Sequence, residues 1–262
     1  DNFQKKLKPF IQGIIGGINL KFLNIELPFP NLETQNLITE ELEGYQKIVN
    51  GCRQVIENYK PTIEMDPSWE MVELGNLCDV KGGKRLPKGE NFENNITKYP
   101  YIRVVDFEKY SINTKNVKYI SEKIFQTIKN YVISSDEIFM SNAGTIGLVG
   151  RVPKEFSGAN LTENAVKLIL KDKTIISIDY LMFMLGSPFV QNQIKDRTHA
   201  VGVPKLAIER IKTIKIPICP TDIQKQIVEN IKQDFNTIEN NQILLNKNQN
   251  IMKNRIDNIW SN

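Results

Sequence analysis

Apolar residues at Ile38, Leu42, Tyr45, Val49, Cys52, Ile56 and Tyr59 alternate at intervals of four and three. That spacing keeps a single stripe of a helix turned towards a partner, so it predicts a coiled-coil seam that ends near Pro61. A second seam lies near the other end of the chain. There Ile231, Ile238, Leu245, Met252 and Ile259 recur every seven residues, interleaved with Val228, Phe235, Gln242, Gln249 and Ile256. The two glutamines predict a polar layer that fixes register. A helix with one apolar stripe cannot bury it alone, and the economical arrangement is that the two helices pack on each other. Leu42, Val49, Ile56, Ile231, Ile238 and Leu245 are the expected helix-helix contacts.

Between the seams the pattern shortens to apolar runs broken by glycine-marked turns. Strands are expected over 101–106, 137–141, 146–152 and 165–170, and a helix near 179–195. Ser187, Pro188 and Phe189 mark a kink or boundary in that helix, because proline cannot donate to the helical ladder. The expected fold class is α+β: one globular mixed α/β domain flanked by two long helices that pack as an antiparallel coiled coil.

The two helices begin behind related text. LPFPNLETQ at 27–35 matches IPICPTDIQ at 216–224, with Pro28 on Pro217 and Gln35 on Gln224, both 189 positions apart. The same register places Gln4 on Gln193, Lys6 on Lys195, Gly13 on Gly202, Phe22 on Ile211 and Ile25 on Ile214. A repeat of this kind means that the tail of one unit precedes one whole unit. The domains read from it are a remnant over 1–32, a helix with its linker over 33–68, a globular domain over 69–220, and a closing helix over 221–262, with Thr221 or Asp222 as its cap.

Charge changes the picture only through its distribution. The formal net charge is +4, yet residues 1–68 hold 7 basic and 9 acidic side chains, residues 69–220 hold 22 and 16, and the remainder 5 and 5. The positive excess sits in the middle segment, where a polyanion would be met. No apolar run is long enough to span a membrane, and the opening stretch lacks the pattern of a signal peptide. An intracellular, cytoplasmic chain whose start lies upstream is the expectation.

Three polar, glycine-bearing stretches are candidates for binding. KGGKRLPKG at 81–89 carries Lys81, Lys84, Arg85 and Lys88 around glycines that permit close backbone approach. It fits phosphates, or is simply a solvated loop; no Ser or Thr follows the lysine at P-loop spacing. SNAGTIG at 141–147 offers Asn142 and Thr145, side chains suited to base edges or phosphates, or forms a tight turn. The third, from Arg197 to Lys212, holds Arg197, Lys205 and the single histidine, His199. Arg103, in the strand 99–107, completes the cationic set.

Catalytic chemistry finds no foothold. One histidine and three well-separated cysteines, Cys52, Cys78 and Cys219, give neither a His-dependent triad nor a metal site, and reduced thiols are expected. The motif of adenine methyltransferases, Asn or Asp followed by two prolines and an aromatic residue, is absent: the nearest text is SPF at 187–189.

Taken together, the repeated proline-to-glutamine helix starts, YPYIRVVDF at 99–107 and DEIFMSNAGTIGLVG at 136–150 resemble the specificity subunits of type I restriction-modification enzymes. The resemblance covers nearly the whole chain from Asn19 on. It implies a target-recognition domain between conserved spacer helices, with double-stranded DNA as ligand and no catalysis in this chain. Adenine methyltransferase subunits carrying S-adenosylmethionine would dock on the helices, and a restriction motor subunit would join. The family's recognition turns fall here on 81–88, 141–147 and 197–205. The family pattern has two recognition domains, and this chain has one with only the end of another. Either a second domain was lost upstream, or the chain is the C-terminal region of a fused methyltransferase-specificity polypeptide, or two copies associate. A coiled-coil interaction module with no DNA role is the reading from a different class.

Overall fold

The computed structural model describes residues 2–12, 17–18, 20–198 and 204–259. The chain divides into two compact units, Asp1–Pro61 with Lys232–Asn262, and Thr62–Ile231.

The first unit is organised by two long helices. One runs Leu32–Asn58, opened by Asn31, whose side-chain oxygen accepts the Thr34 N–H at 2.8 Å. The other runs Thr221–Ile259, and its residues from Lys232 on belong to this unit. Tyr59 donates to Asp234 at 2.8 Å, and Arg255 meets Glu41 at 2.8 Å, so the helices run antiparallel. Val49, Cys52 and Leu245 are buried between them, flanked by Ile56 and Met252. Leu42 and Ile238 are half-buried, and Ile231 is buried within the second unit. The polar layer differs from the one the glutamines predict. Gln242 and Gln249 are exposed, and it is Asn248 that is buried, its amide donating to Leu244 O at 2.8 Å. The inward row here runs Leu245, Asn248 and Met252, one residue earlier than the row that holds the glutamines.

The second unit is α+β. Besides a short antiparallel hairpin, Phe107–Glu108 with Ser111–Ile112, its strands are β1 (Glu70–Glu73), β2 (Cys78–Gly82), β3 (Pro100–Ile102), β4 (Lys118–Tyr119), β5 (Val132–Ile133), β6 (Ile138–Ser141), β7 (Val149–Gly150), β8 (Ala159–Leu161), β9 (Ala165–Leu170) and β10 (Lys215–Ile218). One four-stranded sheet has the order β7-β6-β9-β2 and another β4-β3-β8-β5, while β10 pairs with β1. Only β8 with β3 is parallel within the second sheet. Ile102, Phe107, Ile133, Phe139 and Leu161 are buried in one core cluster, with the rings of Phe107 and Phe139 stacked at 4.0 Å.

The strand expected over 165–170 forms with those bounds, in an apolar run broken only by Lys167. The expected strand 101–106 is instead β3 followed by a 3-10 turn over Val104–Asp106, because Arg103 and Asp106 close that turn through side chain and backbone. The expected strand 146–152 shrinks to β7. The helix expected over 179–195 is two helices, Ile178–Gly186 and Pro188–Arg197, divided at Ser187. Ser187 ends one by donating to Met184 O and starts the next by accepting from Val190 N–H.

The two copies of the repeat share one hydrogen bond and differ in what surrounds it. Gln35 donates to Pro30 O at 2.7 Å, and Gln224 donates to Cys219 O at 2.9 Å, the same offset of five. Gln224 is fully buried and also donates to Ile175 O and accepts the Ser177 N–H. Ile216, in β10, is 0% exposed, whereas its counterpart Leu27 is 60% exposed in irregular chain.

Candidate nucleic-acid interface

The chain crosses between the two four-stranded sheets at residues 162–164, between β8 and β9. Two of the three stretches singled out in the sequence are fastened to this crossing directly. Gly83 N–H donates to Ala165 O at 3.0 Å, and Lys84 N–H to Leu161 O at 2.8 Å. From the other side, Asn142 N–H and Ala143 N–H both donate to Asn164 O, at 2.9 and 3.3 Å. The third stretch joins through the second: Leu206 N–H donates to Asn142 O at 2.8 Å, and Gly144 N–H to Pro204 O at 3.2 Å. Loops distant in sequence thus form one continuous edge, which a scaffold of strands holds in place.

The glycines act within the protein. A Cβ on Gly83 would collide with the backbone oxygens of Thr162 and Leu161, so glycine is required for the loop to lie against β8. Gly144 and Gly147 have φ of +74° and +89°, which shape the 141–147 turn. Gln191 clamps that turn by donating to Gly147 O at 3.0 Å and to Leu185 O at 2.7 Å. Beside it lies a groove of about 490 Å³ lined by Gly144, Ile146, Gln191, Asn192, Lys195 and Pro204.

The sequence candidates fall into three groups. Lys81, Lys84, Lys88, Thr145 and Lys205 present exposed side chains, and the Lys84 ammonium also lies 5.5 Å from the Tyr131 ring centre. Arg85, 77% exposed, meets Glu163 at 2.6 Å. That contact raises the arginine pKa further, and Arg85 with Thr162 holds the Glu163 carboxyl below its usual value against the opposing effect of its burial.

Arg103, Arg197 and Asn142 are occupied by the fold. Arg103 makes a bidentate pair with the buried Asp106, at 2.7 and 3.0 Å, and donates to Asn116 O. Arg197 donates to Gln193 O, Thr213 O and the Thr213 hydroxyl. Asn142 is 5% exposed and donates to Leu206 O. His199 lies outside the described residues.

Glu163 and Asn164, at the crossing where these loops meet, are not among the residues singled out in the sequence. Their signal was the polar triplet Thr162-Glu163-Asn164 interrupting two apolar strands, which marks a turn but gives no hint that other loops converge on it.

Among the described residues no group of three or more His, Cys, Asp or Glu side chains is placed to hold a metal ion. Cys52, Cys78 and Cys219 are buried and free of disulfides, and burial pushes the Cys78 thiol up to about 12. A thiol so raised is a poor nucleophile. No helix of the described residues is long and apolar enough to cross a membrane.

Comparison with known proteins agrees with this architecture. The chain is 24% identical to the type I restriction enzyme MjaVIII specificity subunit of Methanocaldococcus jannaschii, over 83% of this chain and 57% of that protein. It is 23% identical to the EcoBI specificity subunit of Escherichia coli, over 69% of this chain and 37% of the relative. The chain therefore spans between about a third and three fifths of these relatives' lengths. Among solved structures, the S subunit of a type I restriction-modification system from M. genitalium matches 98% of this chain and 69% of its own, with a TM-score of 0.56 at 18% identity. The HsdS subunit from Thermoanaerobacter tengcongensis matches 99% and 67%, with a TM-score of 0.53 at 14% identity. A chain in a structure of type I restriction-modification complex assembly and conformational transition matches 98% and 67%, at 0.63 and 15%. These likenesses concern the fold. The type I restriction modification DNA specificity domain matches residues 67–249, well over half of the sequence, and the chain belongs to that family.

Proposed function

We propose that this chain recognises a specific double-stranded DNA sequence for a type I restriction-modification system and performs no catalysis itself. The observation that carries the reading is the edge formed by 81–88, 141–147 and 204–206, where Lys84, Lys88 and Lys205 stand exposed around a rigid turn. Lysines at the rim of such an edge position the duplex through its phosphates, and polar side chains at its centre read base edges. Adenine methylation then belongs to partner subunits, which bind S-adenosylmethionine, or to a methyltransferase region of the same polypeptide. The antiparallel helices are the platform for those partners, and a motor subunit joins the assembly.

Selection from a randomised duplex library tests this directly, using the chain alone and with its methyltransferase subunits and sequencing the retained DNA. A short enriched motif is the expected outcome. Binding indifferent to sequence and salt would instead favour a protein-interaction module.

A further inference from the structure

Residues 162–164 are held more firmly than an ordinary surface turn. Ala165 N–H closes the turn on Thr162 O at 3.2 Å, and Thr162 N–H donates to Ile102 O at 3.0 Å. Gly83, Lys84, Asn142 and Ala143 add backbone bonds from both flanking loops. Thr162 itself is 5% exposed, so what the turn offers outward is the exposed Asn164 and the half-buried Glu163. Side chains fixed on a rigid element meet a ligand with little loss of freedom, which favours discrimination.

Their chemistry is complementary to bases. An asparagine amide pairs with the N6 and N7 edge of adenine in the major groove, and a carboxylate accepts from exocyclic amino groups such as that of cytosine. A carboxylate is also an unexpected group at the centre of a cationic edge, because phosphates repel it. Glu163 is held by Arg85 and by the Thr162 hydroxyl, at 2.6 and 3.0 Å. An ion pair whose arginine is 77% exposed adds little to stability and exchanges partners readily.

We propose that the 162–164 turn is the base-reading tip of this module. Asn164 contacts an adenine edge, and Glu163 accepts from a base amino group while Arg85 moves from Glu163 to a neighbouring phosphate. The inference rests on the DNA-recognition reading above and locates its specificity in two residues outside the basic loops.

The test uses the whole chain with Asn164→Ala, Glu163→Gln and Lys88→Ala. Each is put through selection from the randomised duplex library, salt-dependent titration and thermal melting. Asn164→Ala is expected to relax one position of the motif, lowering discrimination there by about tenfold with the salt slope unchanged. Glu163→Gln is expected to change the preferred base at a nearby position, whereas Lys88→Ala keeps the motif and lowers the slope. Should Asn164→Ala shift melting, Asn164→Asp keeps the side-chain size and is expected to move the same position. If the unaltered chain selects a motif that both tip variants retain at full strength, the tip does not read bases although DNA recognition stands. Uniformly tighter binding of Glu163→Gln to every duplex, with the motif intact, would make Glu163 a neutraliser of Arg85 and overturn its role. An unaltered chain that selects nothing removes both readings.

Discussion

At the scale of single residues, similar side chains in the recognition unit do different work according to what the backbone places beside them. Arg103 carries the same charge as Lys88, yet it spends its donors on Asp106 and Asn116 and thereby builds the turn that follows β3. Lys88 is exposed. Replacing Lys88 or Lys205 by alanine is therefore expected to weaken binding to all duplexes alike. The slope of log affinity against log salt should shrink by about 0.9 for each phosphate that is no longer neutralised. Titration at several salt concentrations measures this, and an unchanged slope would place that lysine off the DNA. Gly83 makes a contrasting prediction about stability. Gly83→Ala sets a Cβ against the backbone oxygens of Thr162 and Leu161, which no side-chain movement can relieve. The expected cost is about 3 kcal/mol, the upper end for overpacking, seen as a lower melting temperature. Composition made the cations visible in the sequence, but it could not separate Arg103 from Lys88. Their difference lies in partners, and Asp106 with Asn116 are brought to Arg103 only by folding.

At the scale of elements, periodicity was the readable signal and closure was not. Strand 165–170 forms where its apolar run predicts, and the two long helices bury Val49, Cys52 and Leu245 of their predicted seams, since spacing decides which face is buried. Which polar residue enters the helix seam was not legible in that spacing, since Asn248 rather than Gln249 is buried. Convergence of the 81–88, 141–147 and 204–206 loops on one turn left no periodic trace, because hydrogen bonds between distant backbones do not constrain local side-chain pattern. The repeat gives a direct comparison of context. Gln224→Ala leaves the Ser177 N–H and two carbonyls without their partner in a buried site. Its expected cost is about 3 kcal/mol. Gln35→Ala removes one half-buried bond to Pro30 O and should cost about 1 kcal/mol or less. Chemical denaturation of the two variants checks the ordering, and equal losses would show that the buried network around Gln224 contributes nothing beyond the shared bond.

At the scale of the whole molecule, the proposed function assigns a different task to each of the two compact units. The helical unit has a thin interior, in which Val49, Cys52 and Leu245 are the buried apolar side chains of the layer. The recognition unit holds its own core around Phe139, Ile102 and Leu161. Removing Leu245 by substitution with alanine strikes only the first, and should cost about 2 kcal/mol, the low end for a buried leucine because the layer is shallow. The helical signal should then melt earlier, and association with methyltransferase subunits should weaken, while the DNA motif selected by the recognition unit stays the same. Variants at the loop edge, such as Lys205→Ala, should show the reverse: weakened DNA binding with helix melting and subunit association intact. Parallel measurement of subunit association, helix melting and motif selection on both variants decides the matter. If Leu245→Ala changed the selected bases while leaving subunit association untouched, the helices would be part of the reading surface, and the separation of platform from reader would fail.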